Sequence, residues 1–289
     1  MMEKQRLADI VVVGGGAAGL MAAGRAAESG AQVLLLEKTD GLGKKILVSG
    51  KTRCNMTNAA ELNHFISKYG PNGRFLFSAF HHFFRPELID FLHRHGLDVK
   101  IERGGRIFPV SDDARDVVRA FKNYLVKNNV SVKLNAKVTE IIIEDQVVRG
   151  VKTAYTTFPC KAVILATGGA TWPSTGSTGD GYKISATLGH HIVKLRPALV
   201  PLIVKEEKLA RAMQGVSLRH VRATAFQGRA DSVDATLTPA RVYGRGETKK
   251  ARPPVIESRF GEMLFTHFGL GGPIILLMSL AVVDALEAG

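Results

Sequence analysis

The sequence predicts an α/β fold built on a parallel sheet, and three observations at its start carry that expectation. Ile10, Val11, Val12 and Val13 form a continuous β-branched run, the composition of a parallel strand buried on both faces. The run passes directly into Gly14, Gly15, Gly16, Ala17, Ala18 and Gly19, then into a small-residue helix that ends at Gly30 as a C′ glycine. A second strand over residues 32–36 follows and is closed by Glu37. Together these segments make one βαβ unit.

A lone G-x-G-x-x-G is weak evidence. Here Gly14, Gly16 and Gly19 follow a strand, open a helix and precede an acid at the end of the next strand, which is the full context of a Rossmann-type dinucleotide site. Gly14 permits the tight turn, Gly16 lets the backbone approach a diphosphate, and Gly19 lets the helix pack closely on the sheet. Ala17 and Ala18 begin the helix, whose unpaired N–H groups and positive dipole end face the phosphates. Glu37 is placed to accept hydrogen bonds from a ribose diol.

The fingerprint alone does not separate NAD from FAD; later segments favour FAD. Residues 41–58 are long, glycine-rich and polar, suited to lying along an extended ligand. Residues 138–143 read as a further strand. Residues 162–165 read as another buried strand, ending in Ala166, Thr167 and Gly168, a strand-then-Ala-Thr-Gly signature that recurs in FAD-binding domains of this type. Residues 174–181 then lead into a helix near 182–188.

Composition bounds the reading. A chain of 289 residues, 45% of them hydrophobic, can bury a sizeable core in one or two domains. The net charge of +13 is spread along the chain without a long basic block, so it reads as a solvated surface, and no nucleic-acid partner is expected. Two cysteines, Cys54 and Cys160, build no disulfide framework and suit a reducing compartment. The polar start gives no signal peptide, and the longest apolar stretch, residues 273–283, is too short to span a bilayer. It reads as a buried helix. A cytoplasmic protein with no membrane partner is expected, its oligomeric state open.

The chain resembles the aminoacetone-oxidase-like, BaiN/RdsA-type family of FAD flavoproteins. The matching residues are 12–19, Glu37 and Lys38, 45–58, 105–109, 166–181, 197–201 and 261–273, spread over nearly the whole chain. The resemblance implies a FAD domain over residues 1–190 interrupted by an inserted, substrate-side domain of mainly-β, barrel type over 191–289. It implies that Gly14, Gly16, Ala18 and Gly19 hold the pyrophosphate and that Glu37 and Lys38 meet the adenosine ribose. Lys45, Ser49, Gly50, Arg53, Cys54 and Asn55 would run towards the flavin. Val138 would meet adenine through its backbone, Ala166, Thr167 and Gly168 would flank the cofactor, and Asp180 would lie near its ribityl–flavin end. Members of the family return to the FAD domain after the insert, so this chain is expected to be a fragment or a truncated reading frame.

Other constellations carry blander expectations. Cys54 has no nearby cysteine to form an exchanging pair, so it reads as a cofactor-packing thiol. His81, His82, His93 and His95 read as helix-end residues, His190 and His191 as structural, and no metal is expected. Ser111, Asp112 and Asp113 read as a helix N-cap with acids in the first turn, and Val117, Val118, Phe121 and Leu125 continue at helical period. Residues 104–109 would line the substrate side by resemblance or form a simple turn. Residues 230–257 have the composition of a mobile surface loop. The function expected is hydride transfer between flavin and a small organic substrate, with NAD(P)H as a transient donor in one version. The rivals are a truncated, catalytically silent FAD- or nucleotide-binding module and a basic nucleic-acid-binding protein. No catalytic acid or base stands out.

Overall fold

The computed structural model describes residues 7–228 and 254–288, and the chain divides into two compact units, Met1–Ile192 and Val193–Gly289. In the first unit, β1 (Ala8–Val13), α1 (Ala17–Glu28) and β2 (Val33–Leu36) form the expected βαβ start. The glycine-rich segment after Glu37 is not all loop: it holds a short helix, α2 (Lys44–Val48), and β3 (Thr57–Asn58). Then come α3 (Leu62–Ser67), α4 (Phe77–His82) and α5 (Arg85–Arg94). Strands β4 (Val99–Glu102) and β5 (Arg106–Pro109) follow, then α6 (Ala114–Lys127) and β6 (Ser131–Lys133). A meander of β7 (Val138–Glu144), β8 (Val147–Thr153) and β9 (Thr157–Leu165) leads to α7 (Asp180–Thr187).

The central sheet has the order β6-β2-β1-β9-β8-β7. Its first four strands are parallel, whereas β9, β8 and β7 pair antiparallel, so the sheet is parallel at its centre and mixed at one side. β1 is buried on both faces, as its β-branched run requires: Val11 and Val12 are both 0% exposed. Successive side chains point to opposite faces. Val12 joins the core made with α1, α5 and α6, through Leu20, Leu92, Phe121 and Leu125. Val11 and Val13 join a second core with Val138, Ile141, Val151 and Phe158 of the meander and Ile184 of α7. A separate antiparallel sheet, β3-β5-β4, carries residues 104–109 out of a short turn at Arg103–Gly105 and into a strand.

α6 starts later than its sequence indicates: the cap is the last residue of the 111–113 stretch, and Asp112 and Asp113 do not lie in its first turn. Asp113 is the N-cap, accepting from the Arg115 N–H at 2.8 Å, and Val117, Val118, Phe121 and Leu125 are buried. Asp112 lies outside the cap, with φ at +57°.

The second unit is an antiparallel sheet, ordered β10-β13-β12-β11, with two helices. Its elements are β10 (Leu202–Ile203), α8 (Glu207–Ala212), β11 (Ser217–Phe226), β12 (Val255–Thr266), β13 (Gly269–Gly271) and α9 (Pro273–Ala288). Met263, Ile274 and Ile275 centre its core. Two expectations change here. Most of the segment read as a mobile loop, residues 230–253, lies outside the described residues, and its last part, from Val255, is the start of a long strand. The apolar run from Pro273 is a helix, but only one face is buried, through Ile274, Ile275 and Met278, while Leu277 is 57% exposed. Among the described residues no helix is long and apolar enough to cross a membrane.

One contact sets how closely α1 packs on α6. A Cβ at Gly24 would stand 2.2 Å from the Tyr124 ring, whose hydroxyl donates to Glu28 Oε2 at 2.8 Å. Gly24→Val is therefore expected to cost about 2 kcal/mol by overpacking, read as a lower midpoint in urea. Tyr124→Phe, which removes only the hydroxyl, is expected to cost about 1 kcal/mol. Equal midpoints for Gly24→Val and the parent chain would refute the tight packing.

Candidate cofactor site

The parallel register decides where the site forms. Val13 of β1 pairs with Leu36 of β2 on one side and Leu165 of β9 on the other. The three segments that follow these residues, beginning at Gly14, Glu37 and Ala166, therefore leave the sheet at the same edge. This is the carboxyl end of an open parallel sheet, where ligands of such folds bind. A cavity of about 730 Å³ opens there, within the range of about 300–1,000 Å³ usual for cofactor sites.

The glycines at the junction do different jobs. Gly14 has φ at +108°, and a Cβ on it would stand 2.4 Å from the Ala166 carbonyl oxygen. A Cβ on Gly19 would stand 1.8 Å from the Gly14 carbonyl oxygen, so this residue lets α1 seat on the turn itself. Gly16 differs: a Cβ there would meet nothing within 4 Å, because its bare side faces open space. The first intrahelical bond of α1 runs from the Leu20 N–H to the Gly16 carbonyl at 2.9 Å, and no side chain caps the helix. The amides before Leu20 are thus free of α-helical partners at the cavity, with the positive end of the helix dipole behind them.

Glu37 is 8% exposed and held on both oxygens. Oε2 accepts from the Gly15 N–H at 2.6 Å and Oε1 from the Thr39 N–H at 2.8 Å. These bonds fix the carboxyl at the cavity wall and leave further lone pairs for a ligand. Two lysines reach across to the segment after β9. Lys38 Nζ donates to Thr178 Oγ1 at 2.6 Å and to Asp180 Oδ2 at 2.7 Å. Lys45 Nζ donates to Ser177 Oγ at 2.8 Å and to the Thr171 carbonyl at 3.0 Å. Burial raises the Asp180 carboxyl, but the hydrogen bond and charge of Lys38 outweigh it and hold the group below its ordinary value. Lys44 and Lys137 also line the cavity, which makes its lining net basic. Met56, Leu88, Leu92, Val117 and Phe121 supply an apolar wall.

Most of the residues singled out from sequence come together here. Gly14, Gly16, Ala17, Ala18, Glu37, Lys38, Lys45, Ser49, Cys54, Asn55, Val138, Ala166, Thr167, Gly168 and Asp180 all line the cavity. Gly19, Gly50 and Arg53 do not: Gly19 is consumed by the helix–turn contact, and Arg53 turns away to Glu102 and Asp112. Burial pushes the Cys54 thiol up, against a hydrogen bond to Ser49, so it packs as a protonated thiol. Gly15, Thr39, Lys137, Ser177 and Tyr182 line the cavity without having been singled out. Gly15 sits inside the glycine triplet, and Ser177 inside the Ser/Thr/Gly run, so both had a signal. Thr39 and Lys137 had none beyond adjacency.

Comparison with known proteins agrees with this geometry. The HI0933-like protein Rossmann domain matches residues 8–233, and the HI0933-like protein barrel and H2TH domain matches residues 248–289. A 3-dehydro-bile acid delta(4,6)-reductase of Clostridium scindens is 32% identical over 97% of this chain and 62% of its own length. Ribosomal RNA dihydrouridine synthases of Haemophilus influenzae and Escherichia coli are each 29% identical, over 93% and 94% of this chain and 60% of their own lengths. The chain thus spans about three fifths of the curated relatives it matches. With a Rossmann-domain match across residues 8–233 and the glycine junction, acid and Ala-Thr-Gly strand end converging on one cavity, the chain belongs to the HI0933-like family of BaiN/RdsA-type FAD-dependent oxidoreductases.

Proposed function

We propose that this chain binds FAD in the cavity at the carboxyl end of its sheet and serves an oxidoreductase that moves a hydride between flavin and a small organic molecule. The observation that carries this reading is the bare side of Gly16 above uncapped α1 amides, with Glu37 fixed beside it. A diphosphate fits where a side chain would otherwise stand. Glu37 then takes ribose hydroxyls on its remaining lone pairs, and Lys38 and Lys45 lend positive charge. Ser49, Cys54, Asn55, Thr167, Gly168 and Asp180 hold the remainder, and the apolar wall from Met56 to Phe121 excludes water from the ring system. When bound, the isoalloxazine of FAD supplies the hydride chemistry, and the protein supplies orientation and electrostatics.

The names of the relatives, a reductase and two dihydrouridine synthases, support the reducing direction. NAD(P)H is the donor this reading assigns, docking transiently beside the flavin. Two relatives named for ribosomal RNA, together with a net charge of +13, favour a base within RNA as a second substrate reading. The expectation of no nucleic-acid partner has no support. Salt-dependent retention on RNA supports this second reading, and retention that ignores salt counts against it.

Titration with FAD, followed by flavin fluorescence and anaerobic bleaching with NADPH, tests the main reading. A chain that takes up no FAD sinks it, and FAD uptake without any reduction would favour a catalytically silent module. Gly16→Val is expected to weaken FAD more than about tenfold, over 1.4 kcal/mol, while stability stays within about 0.5 kcal/mol. Gly14→Val is expected to cost about 3 kcal/mol of stability, because it meets backbone at positive φ. Glu37→Gln is expected to weaken FAD on the order of tenfold.

The Lys38–Asp180 pair gives a pH signature. A carboxyl held below its unfolded value contributes stability above the unfolded pKa of about 3.9 and loses it as pH falls through the folded value. The gap in thermal midpoint between the parent chain and Asp180→Asn is expected to be full near neutrality and to shrink below about pH 4. A gap that ignores pH would show that the pair is not its source.

A further inference from the structure

Arg53 stands beside the cavity without lining it. Its guanidinium lies over the Phe108 ring, 4.2 Å from the centroid. Nε donates to Asp112 Oδ1 at 2.8 Å, and an Nη donor pairs with Glu102. Lys100 closes the cluster on Asp112. The backbone around Arg53 is in a conformation that L-residues avoid: φ is +56° at Gly50, +56° at Lys51, +66° at Thr52 and +62° at Cys54. Such a run persists only where the surroundings over-determine it.

Backbone bonds tether this loop, and within it the Arg53 N–H donates to the Gly50 carbonyl at 3.3 Å. The Cys54 N–H donates to the Ser49 carbonyl at 3.0 Å, and the Thr52 carbonyl accepts from the Ala114 N–H at 2.9 Å. The Met56 N–H donates to the Ile107 carbonyl at 2.9 Å, where the chain enters the small sheet. Within residues 50–54, Arg53 is the side chain that reaches β4, β5 and the residue before the α6 cap together. Directly after it, Cys54 and Asn55 line the cavity.

We propose that Arg53 is a positioning residue: clamped between Asp112 and Glu102 and stacked on Phe108, it holds Gly50, Lys51, Thr52 and Cys54 in their left-handed form and so sets Cys54 and Asn55 against the cofactor. A planar, delocalised cation is required, because one group must pair with two carboxylates at its edge while its face rests on a ring. Lysine satisfies one of those contacts at a time. The part of this inference that concerns the cofactor rests on the FAD reading.

The clamp is tested first on the full chain without FAD, by timed alkylation with iodoacetamide read peptide by peptide by mass spectrometry. Cys54 reports the loop, and Cys160, buried in β9 at 2% exposure, reports opening of the whole domain. Arg53→Met and Asp112→Asn are expected to raise the Cys54 rate about tenfold or more by local opening, with the Cys160 rate unchanged and Arg53→Lys in between. The same variants are then titrated with FAD, and weaker binding with an altered visible circular dichroism of the bound flavin is expected. An unchanged Cys54 rate overturns the clamp. A joint rise of both thiols also overturns it, since Arg53 would then support the domain at large. A faster Cys54 with unchanged FAD affinity and dichroism overturns the positioning role. Failure of the parent chain to take up FAD sinks the cofactor reading, while the two thiol rates still decide the clamp.

Discussion

The first unit depends on one close approach: α1 seats so tightly on the end of β1 that the Gly14 carbonyl lies where a Cβ on Gly19 would be. That contact directs the helix axis at the sheet edge and leaves its first amides at the cavity. Gly14 is pinned from the other side by the backbone of Ala166. The glycine turn, the helix and the end of β9 are therefore one packed object, and none of the three can shift alone. Residues that bear no charge, Gly14, Gly19 and Ala166, thereby decide where the polar groups of the site can stand.

Charge then follows shape. The lining carries more lysines than carboxylates, and both carboxylates are engaged: Glu37 by two backbone amides, Asp180 by Lys38. A ligand entering this cavity meets oriented donors and cations, the arrangement an anionic dinucleotide needs. The contacts from Lys38 and Lys45 to residues 171–180 join segments far apart in sequence. They couple the shape of the cavity mouth to the cations that would meet phosphate.

Much of this was legible in the sequence, because the signals were local. The β-branched run, the spacing of three glycines and the acid at the end of β2 each act within one βαβ unit, and each stands where expected. The buried periodicity of α6 was legible for the same reason, and its cap only to within residues 111–113. Arg53 was not. Its neighbours in sequence line the cavity, but its partners, Glu102, Phe108 and Asp112, come from a different sheet and the turn before α6. The helix from Pro273 was legible as apolar and helical, while its half-exposed packing depended on which strands lay beside it.

The amino-acid sequence by itself determined the class of fold and the glycine junction with its acid at the end of β2, while most other groups around the cavity were legible only through the resemblance to a family. The fold class and the junction follow from backbone sterics and hydrophobic period, which operate over a few neighbouring residues. Only the tertiary structure decided that Gly16 faces open space while Gly19 faces a carbonyl, that Glu37 is fixed by Gly15 and Thr39, and that Arg53 turns out of the cavity. Those outcomes depend on contacts between segments distant in sequence, where packing and ion pairing choose among conformations that local chemistry leaves equally open.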